Sequence, residues 1–188
     1  MRAMSTLSFR TAPAHDLTFA QRLANFVNSA YRGPSSQQGW TTEADLLDGT
    51  RTEASAILES LAQPDVKIEI AFVPPDDWRA CMQLKRESAE TCYLGMLTVD
   101  PTAQAKGVGR QMLARAAEVA LAWGCRQIRI TVIPQRAELI AYYERRGFFK
   151  TGKEEPFPEG DPRFGIPKVT GLRLIEMIWP IASAARSI

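Results

Sequence analysis

The chain has 188 residues, of which 45% are hydrophobic, and its 23 lysines and arginines nearly balance 21 aspartates and glutamates. This length predicts one domain with a substantial core, and the net charge of +2 argues against a nucleic-acid partner. No run approaches the roughly 18 apolar residues of a membrane span. The N-terminal residues also lack the apolar run of a secretory signal, so we expect a cytoplasmic protein with no membrane partner.

The N-terminal third of the chain is predicted to be mostly helical. Alternating residues at 7–11 predict a short first strand, and apolar residues recurring every three or four positions predict a helix over 14–31. A glycine and a proline end that helix, and the polar segment after them is expected to be flexible. Two further helices are predicted over 41–49 and 52–61, the first capped by a threonine and closed by a glycine.

The middle of the chain is predicted to be a three-stranded antiparallel meander. Strict alternation predicts strands over 66–73 and 79–86, and a run rich in β-formers predicts a third strand over 93–99. An amphipathic helix is predicted over 108–123 and a strand over 126–133. A right-handed crossover should place that strand parallel to the one before the helix.

The C-terminal part returns to the sheet after one more helix. The pattern predicts a helix over 136–146, a strand beginning at 148–151 and a last strand over 170–179. A loop rich in proline and glycine, residues 156–168, separates the two strands. Loops of this length are often functional or mobile, so we expect this one to matter for binding.

The order of these elements predicts an α/β (α+β) fold. A mixed sheet of six to seven strands would carry helices on both faces, in one domain that spans residues 1–188. The core would extend over about residues 7–179, and residues 180–188 are predicted to be a flexible tail.

The three cysteines, Cys81, Cys92 and Cys125, are scattered along the chain. Their odd number fits no disulfide framework, and their spacing fits no zinc site, so no metal is expected. We predict buried or partly buried thiols in a reducing compartment. A catalytic cysteine is the weaker alternative, because the only histidine, His15, lies far away in sequence.

The turn QAKGVG, residues 104–109, is the strongest candidate binding site. It joins an apolar strand to a long helix, so its backbone N–H groups lack intrahelical partners. Together with the positive end of the helix dipole, these groups can bind a phosphate or pyrophosphate. The turn is not a Walker P-loop, because no Gly-Lys-Ser/Thr follows its glycines. It is not a GxGxxG motif either, because the third glycine is missing. An ordinary strand-to-helix turn is the alternative interpretation.

Two blocks of sequence resemble the GNAT superfamily of acyl-CoA-dependent N-acyltransferases. The first joins the strand end Val99-Asp100-Pro101 to the Gln-x-x-Gly-x-Gly pattern of residues 104–109. The second is a helix that ends in Tyr-Glu-x-x-Gly-Phe, residues 143–148. The chain is similar to this family over about residues 7–178 by the order of its elements, and closely over residues 93–149.

The resemblance implies a GNAT fold and acetyl-CoA as co-substrate. The pyrophosphate would bind the turn and the helix start, at Gln104, Ala105, Lys106, Gly107, Val108, Gly109 and Arg110. The two glycines would let the phosphates approach, since a Cβ there would occupy phosphate space. The pantetheine would lie along the backbone of Leu97, Thr98 and Val99 like an added strand.

Many members carry an asparagine early in the next helix, where this chain has Pro134-Gln135-Arg136. Arg136 could contact a CoA phosphate instead, or be an exposed helix arginine.

The resemblance also implies the catalytic groups. Tyr143 occupies the position of the family's general acid, which protonates the departing thiolate. A core aromatic is the alternative role for Tyr143, and Tyr142 is its rival as the acid. A carboxylate must act as general base because histidine is effectively absent, and the candidates are Glu43 and Glu90. For both glutamates a solvated surface residue is the plainer interpretation.

The acceptor is expected to be a small-molecule or peptide amine. The segments GWTTEADLL and PFPEGDPRFGIPK resemble those of a subset of GNAT proteins, which narrows the subgroup without naming a substrate. The residues assigned to the acceptor site are Tyr31, Trp40, Glu43, Phe157 and Phe164. Trp40 could equally be a core anchor, and the two phenylalanines could instead pack at a homodimer contact. A non-catalytic acyl-CoA-binding or regulatory module is the alternative function.

Overall fold

The computed structural model describes residues 7–161 and 164–181. Its helices are α1 (Leu17–Tyr31), α2 (Gly33–Ser36), α3 (Ala54–Leu61), α4 (Val108–Ala122) and α5 (Ala137–Glu144). Its strands are β1 (Ser8–Thr11), β2 (Leu47–Asp48), β3 (Val66–Val73), β4 (Asp77–Arg86), β5 (Thr91–Val99), β6 (Gln127–Val132), β7 (Phe149–Pro156), β8 (Ile166–Pro167) and β9 (Arg173–Pro180). None of the described helices combines the length and hydropathy that a membrane span needs.

The main sheet has seven strands in the order β1-β3-β4-β5-β6-β9-β7. Neighbouring strands are antiparallel except β5 and β6, which are parallel and joined through α4. This arrangement confirms the predicted mixed sheet, the meander and the parallel crossover. Strands β2 and β8 form a separate two-stranded sheet.

Helices cover both faces of the main sheet. On one face α4 and α5 pack over the sheet, and α4 buries Val108, Met112, Leu113, Ala116, Val119 and Ala120. On the other face α1 and α3 bury Leu23, Val27 and Ile57 against β3. The three cysteines are free and buried, as predicted. Burial raises the pKa of the Cys81 thiol to about 12, so this thiol stays protonated and unreactive.

The prediction of a helix over residues 41–49 is wrong. Residues 43–46 form a turn that leads into β2, and a short helix, α2, precedes them where a flexible segment was predicted. Proline in the first turn of α2 favours that helix start. The turn replaces the helix because Leu47 packs with Ile133, Phe157 and Leu172 while β2 pairs with β8. These contacts are distant in sequence and outweigh the weak helical preference of a short segment.

The C-terminal boundary also differs from the prediction. Pro180 ends β9, and Ile181 is buried at 2% exposure with its N–H donating to the Arg126 carbonyl at 3.0 Å. The predicted tail therefore does not include residues 180 and 181, because both belong to the sheet and its core. The remainder of that tail, residues 182–188, lies outside the described residues.

Candidate functional site

Strands β5 and β6 separate part-way along their length and leave a gap in the sheet. They pair only where Thr91, Cys92 and Tyr93 of β5 face residues 127–129 of β6, whereas β5 stays paired with β4 as far as Val99. A β-bulge on β5 lies at the opening, where Met96 has a φ of 52°. Bulges re-aim the groups that follow them, and they are common beside functional sites.

The backbone of β5 presents hydrogen-bonding groups to this gap. The Asp100 N–H donates to the Arg79 carbonyl of the neighbouring strand at 2.9 Å. Because directions alternate along an antiparallel strand, the backbone groups of Val99 and Leu97 face away from β4 and into the gap. Those of Thr98 face β4. The Tyr31 hydroxyl donates to the Leu97 carbonyl at 2.8 Å, as this direction requires.

A cavity of about 340 Å³ fills the gap beside the QAKGVG turn. Ten of the residues predicted to bind the cofactor line it: Leu97, Thr98, Val99, Gln104, Ala105, Gly107, Gly109, Arg110, Arg136 and Tyr143. The side chains of Lys106 and Val108 do not. Lys106 folds back, donating from Nζ to the Thr102 carbonyl at 2.7 Å, and Val108 belongs to the core.

The turn has the shape that an anion site needs. Ala105 and Gly107 both have left-handed backbones, with φ of 61° and 81°. Alternating backbone conformations of this kind make a concave run of N–H groups, and here the run ends at the first turn of α4. The left-handed backbone is strained at Ala105, where a Cβ is present, and is tolerated at Gly107.

Gly109 lies next to the Tyr142 side chain, a contact that the sequence did not indicate. A Cβ at this position would lie 2.6 Å from the Tyr142 hydroxyl, so the glycine makes room for that tyrosine rather than for a phosphate alone. Tyr142 and Trp40 then pack in the wall of the cavity with their ring centroids 5.5 Å apart and their planes tilted by 41°.

The side chain of Gln104 joins the turn to the segment that precedes β2. Its Oε1 accepts the Trp40 backbone N–H at 2.9 Å. Trp40 consequently lines the larger cavity, next to the turn, and not the smaller cavity described next. The sequence assigns Trp40 to the acceptor wall, whereas this hydrogen bond holds it beside the turn.

A second cavity of about 140 Å³ lies behind the first. The other predicted acceptor residues meet in its wall, namely Tyr31, Glu43, Phe157 and Phe164. The two cavities share part of their lining: Tyr31, Leu97, Arg136, Leu139 and Tyr143. The two cavities therefore adjoin at a common wall formed by these five residues.

Tyr143 belongs to that common wall. It is 7% exposed, and its ring packs against Tyr142 and Phe148 with centroids 5.5 Å and 5.1 Å away. Burial raises the pKa of the Tyr143 phenol well above its usual value, so the hydroxyl is protonated at neutral pH. Tyr143 is therefore both a core aromatic and a cavity residue, whereas Tyr142 lines only the larger cavity.

Glu43 lies in a buried cluster of charges at the smaller cavity. Arg32 reaches its Oε2 at 2.5 Å and Arg136 reaches its Oε1 at 2.8 Å, and all three residues are 8% exposed. Burial alone raises the pKa of Glu43, but Arg136, Arg51 and Arg32 outweigh it and leave that pKa below its ordinary value. The carboxylate is thus ionised, with both oxygens engaged. Arg136 also donates to the Thr41 hydroxyl at 2.8 Å, so it is not an exposed helix arginine.

Glu90 is not brought to the gap. Its side chain is 70% exposed and lies 3.9 Å from Arg126, just before the end of β5 that pairs with β6. At roughly 3.3 Å per residue, the length of β5 separates it from the cavities. Glu90 therefore contacts neither cavity, and we do not retain it as a candidate base.

Several cavity residues were missed. Leu139 and Arg146 line the larger cavity, as does Tyr142, which the sequence offered only as a rival acid. Their spacing of three and four places them on one face of the same helical segment, so the pattern could have revealed them. Arg146 stacks over the Tyr142 ring at 4.7 Å. Arg51, in the smaller cavity, had no signal in the sequence because it lies in a loop.

Comparison with protein families gives a match over the segment that contains the gap. Residues 69–148 match the model of the Acetyltransferase (GNAT) family. This segment includes β4, β5, the QAKGVG turn, α4, β6 and α5. It also contains both sequence blocks on which the resemblance was based, and that resemblance is thereby confirmed.

A curated relative matches a shorter stretch. The mycothiol acetyltransferase of Beutenbergia cavernae is 39% identical over 69 residues, which are 37% of this chain and 23% of the relative. The matched part is therefore less than a quarter of the length of that relative.

Solved structures resemble almost the whole chain. The ribosomal-protein-S18-alanine N-acetyltransferase of Escherichia coli is 16% identical, with a TM-score of 0.65 over 97% of this chain and 99% of that one. The yncA structure of Salmonella typhimurium, solved with its cofactor acetyl-CoA, is 18% identical, with a TM-score of 0.65 over 94% and 95%. At these identities the agreement shows the fold, and it confirms the predicted architecture.

Proposed function

We propose, because residues 69–148 match the model of the Acetyltransferase (GNAT) family, that this chain is an enzyme that transfers an acetyl group from acetyl-CoA to a primary amine. The observation that carries the proposal is the pair of compartments with a shared wall that contains Tyr143. Two substrates that react directly must meet where the two compartments adjoin. The larger compartment suits the donor because it includes the turn, and the smaller one suits the acceptor.

The residues of the larger compartment fit acetyl-CoA, which supplies the acetyl group as an activated thioester. The turn at Ala105 and Gly107 offers N–H groups to the pyrophosphate. Arg110, Arg145 and Arg146 line the same cavity and supply positive charge for the phosphates. Arg136 is already engaged by Glu43 and Thr41, so we assign it to the wall between the compartments rather than to a phosphate.

The strand backbone supplies the remaining contacts with the donor. The Leu97 and Val99 groups that face the gap can pair with pantetheine amides as an added strand would. The Val99 N–H is our candidate for stabilising the oxyanion that forms when the amine attacks the carbonyl. This role needs a hydrogen-bond donor whose position is fixed before the reaction. The Val99 N–H meets this need because β4 pairs with the opposite edge of β5 and holds the strand in place.

Tyr143 is proposed as the general acid. Its raised pKa keeps the phenol protonated at neutral pH, so it can donate a proton to the thiolate that leaves. Glu43 is the carboxylate of the smaller compartment, but its lowered pKa makes it a weak base. We propose that it orients Arg32 and Arg136, and that the amine loses its proton to water.

The proposal is tested by measuring thiol release from acetyl-CoA with a panel of primary amines. We expect turnover with at least one amine and saturation in both substrates. Binding of CoA without thiol release for any amine would favour an acyl-CoA-binding or regulatory module instead. Preference for ATP or NAD over CoA in a titration would contradict the donor assignment.

Replacing Tyr143 by phenylalanine is expected to lower kcat by about 100-fold or more, because the variant keeps the ring but loses the proton donor. The packing against Tyr142 and Phe148 is retained, so the melting temperature and the Kd for CoA should change little. Steady-state kinetics and calorimetry measure these quantities. Tyr142→Phe is the matched control, and a larger loss of kcat in that variant would make Tyr142 the acid.

A further inference from the structure

The smaller cavity has more positive than negative charge. Among its described lining residues, Arg51 and Arg136 are the cations and Glu43 is the carboxylate. Glu43 is also paired with Arg32, whose guanidinium lies 2.5 Å from Oε2. Among the described residues of this cluster, Glu43 is therefore the single carboxylate beside three arginines, and the net charge of the cluster is positive.

Arg51 carries this surplus. Within residues 7–161 and 164–181 no carboxylate forms an ion pair with it, whereas Arg32 and Arg136 are both bound to Glu43. Its guanidinium lies 5.4 Å from the centroid of the Tyr31 ring, and Tyr31 is part of the wall shared by the two cavities. Stacking on an aromatic ring leaves the edge of a guanidinium free to bind an anion.

The loop that carries Arg51 is fixed by one side chain of α1. Asn28 accepts the N–H groups of Arg51 and Thr52 at 2.7 Å and 3.1 Å, and it donates to the Thr52 carbonyl at 2.9 Å. The three hydrogen bonds hold the backbone before any ligand arrives. Because the backbone is already fixed, less conformational freedom is lost when Arg51 binds a ligand, which favours affinity.

We propose that the amine acceptor also carries a carboxylate, which binds Arg51 in the smaller cavity. The acceptor class is then the amino acids, and polyamines are disfavoured because their charges repel Arg51. This inference rests on the proposed acetyl transfer, since it names the substrate of the same site. A guanidinium binds a carboxylate through two parallel hydrogen bonds, which also fix the direction of the bound molecule.

The rest of the cavity matches an amino acid. Its walls include the apolar side chains of Ile133, Phe157 and Leu174, which can contact an apolar side chain of the acceptor. Its volume of about 140 Å³ is below the roughly 300–1,000 Å³ of pockets for drug-sized ligands, so the part of the acceptor bound there is small. The α-amine would then point to the common wall, where Tyr143 lies.

The test measures binding by titration calorimetry on the full chain saturated with CoA. The probes are the common amino acids and, for each, the amino-acid amide, in which a neutral carboxamide replaces the charged carboxylate. We expect at least one amino acid to bind about 10- to 100-fold more tightly than its amide, the range that hydrogen bonds to a charged group contribute. Spermidine should bind more weakly than that amino acid.

Variants of Arg51 test whether this residue causes the difference in affinity between an amino acid and its amide. Arg51→Gln should reduce the ratio of affinities to near one, and Arg51→Lys should keep part of it because the charge remains. Arg126→Gln is the matched control, since the Arg126 side chain is 74% exposed and lines neither cavity. Its ratio should equal that of the unmodified protein, and melting curves establish that each variant is folded.

Two results would overturn the inference. One is equal or weaker binding of every amino acid relative to its amide, and the other is an unchanged ratio in Arg51→Gln. Because binding does not require turnover, the outcome is separate from that of the acetyl-transfer assay. Selective binding of an amino acid without thiol release would refute only the acetyl transfer. Equal acetylation of an amino acid and of its amino-acid amide would refute only the carboxylate requirement.

Discussion

Replacing Glu43 by alanine is expected to lower the free energy of unfolding by about 3–5 kcal/mol, because the change leaves two buried cations without their counter-ion. The side chains of Arg32 and Arg136 are only 7% and 10% exposed, so most of each cation is shielded from bulk water. The Nε atoms of both arginines are buried without a hydrogen-bond partner in the described structure. Urea unfolding, followed by circular dichroism, measures the loss.

Glu90→Ala is the matched control for this prediction. Its side chain is 70% exposed and faces Arg126 at 3.9 Å, so the expected change is within about 0.5 kcal/mol. Equal destabilisation by the two substitutions would contradict the view that the buried cluster stabilises the fold.

The same cluster predicts a dependence on pH. The folded pKa of Glu43 lies below the ordinary value of 4.5, so the carboxylate stabilises the fold at any pH above that value. The contribution is lost progressively as the pH falls below 4.5 and through the folded pKa. The difference in stability between the unmodified protein and Glu43→Ala should therefore shrink in acid. A difference that grows as the pH falls would contradict this assignment.

Replacing Gly109 by tryptophan is expected to weaken CoA binding by at least about 100-fold, or about 2.7 kcal/mol. The new Cβ alone would lie 2.6 Å from the Tyr142 hydroxyl, and the indole has to enter the larger cavity or displace that tyrosine. Either result blocks the start of α4, where the phosphates are proposed to bind. Calorimetric titration with CoA measures the change.

Ala114→Trp provides the control for the bulk of the new side chain. Ala114 lies on the exposed face of the same helix and lines neither cavity. We expect this variant to bind CoA with unchanged affinity, and circular dichroism should show that both variants keep their helices. An unchanged Kd in Gly109→Trp would mean that the phosphates bind elsewhere.

The fold was predictable because most of its elements have a clear period. Strands β3 and β4 alternate in sequence, although the structure buries residues on both of their faces. The buried residues of α4 repeat every three and four positions, so this pattern also identifies the face that packs. The Gln-x-x-Gly-x-Gly turn was predictable for a different reason, since it combines a helix start with residues that permit close approach of an anion. Local sequence carries both signals.

The parts that were missed depend on contacts that are distant in sequence. Residues 41–49 look helical, but Leu47 belongs to a cluster with Phe157, and Glu43 pairs with Arg136. No local pattern indicates that a carboxylate will meet arginines 11 and 93 positions away. For the same reason the sequence offered Glu43 and Glu90 as equals, whereas the structure buries one and exposes the other.

The hydrogen bond from the Trp40 backbone to Gln104 has a thermodynamic consequence. It links the turn of the larger cavity to the chain segment that continues to Glu43 in the smaller one. If a ligand that orders the turn also orders this segment, each substrate raises the affinity of the other. Linkage requires that the factor be identical in both directions, so the donor would prepare the acceptor site as much as the acceptor holds the donor. A single amide–amide contact would thereby make the binding of the donor and the acceptor cooperative.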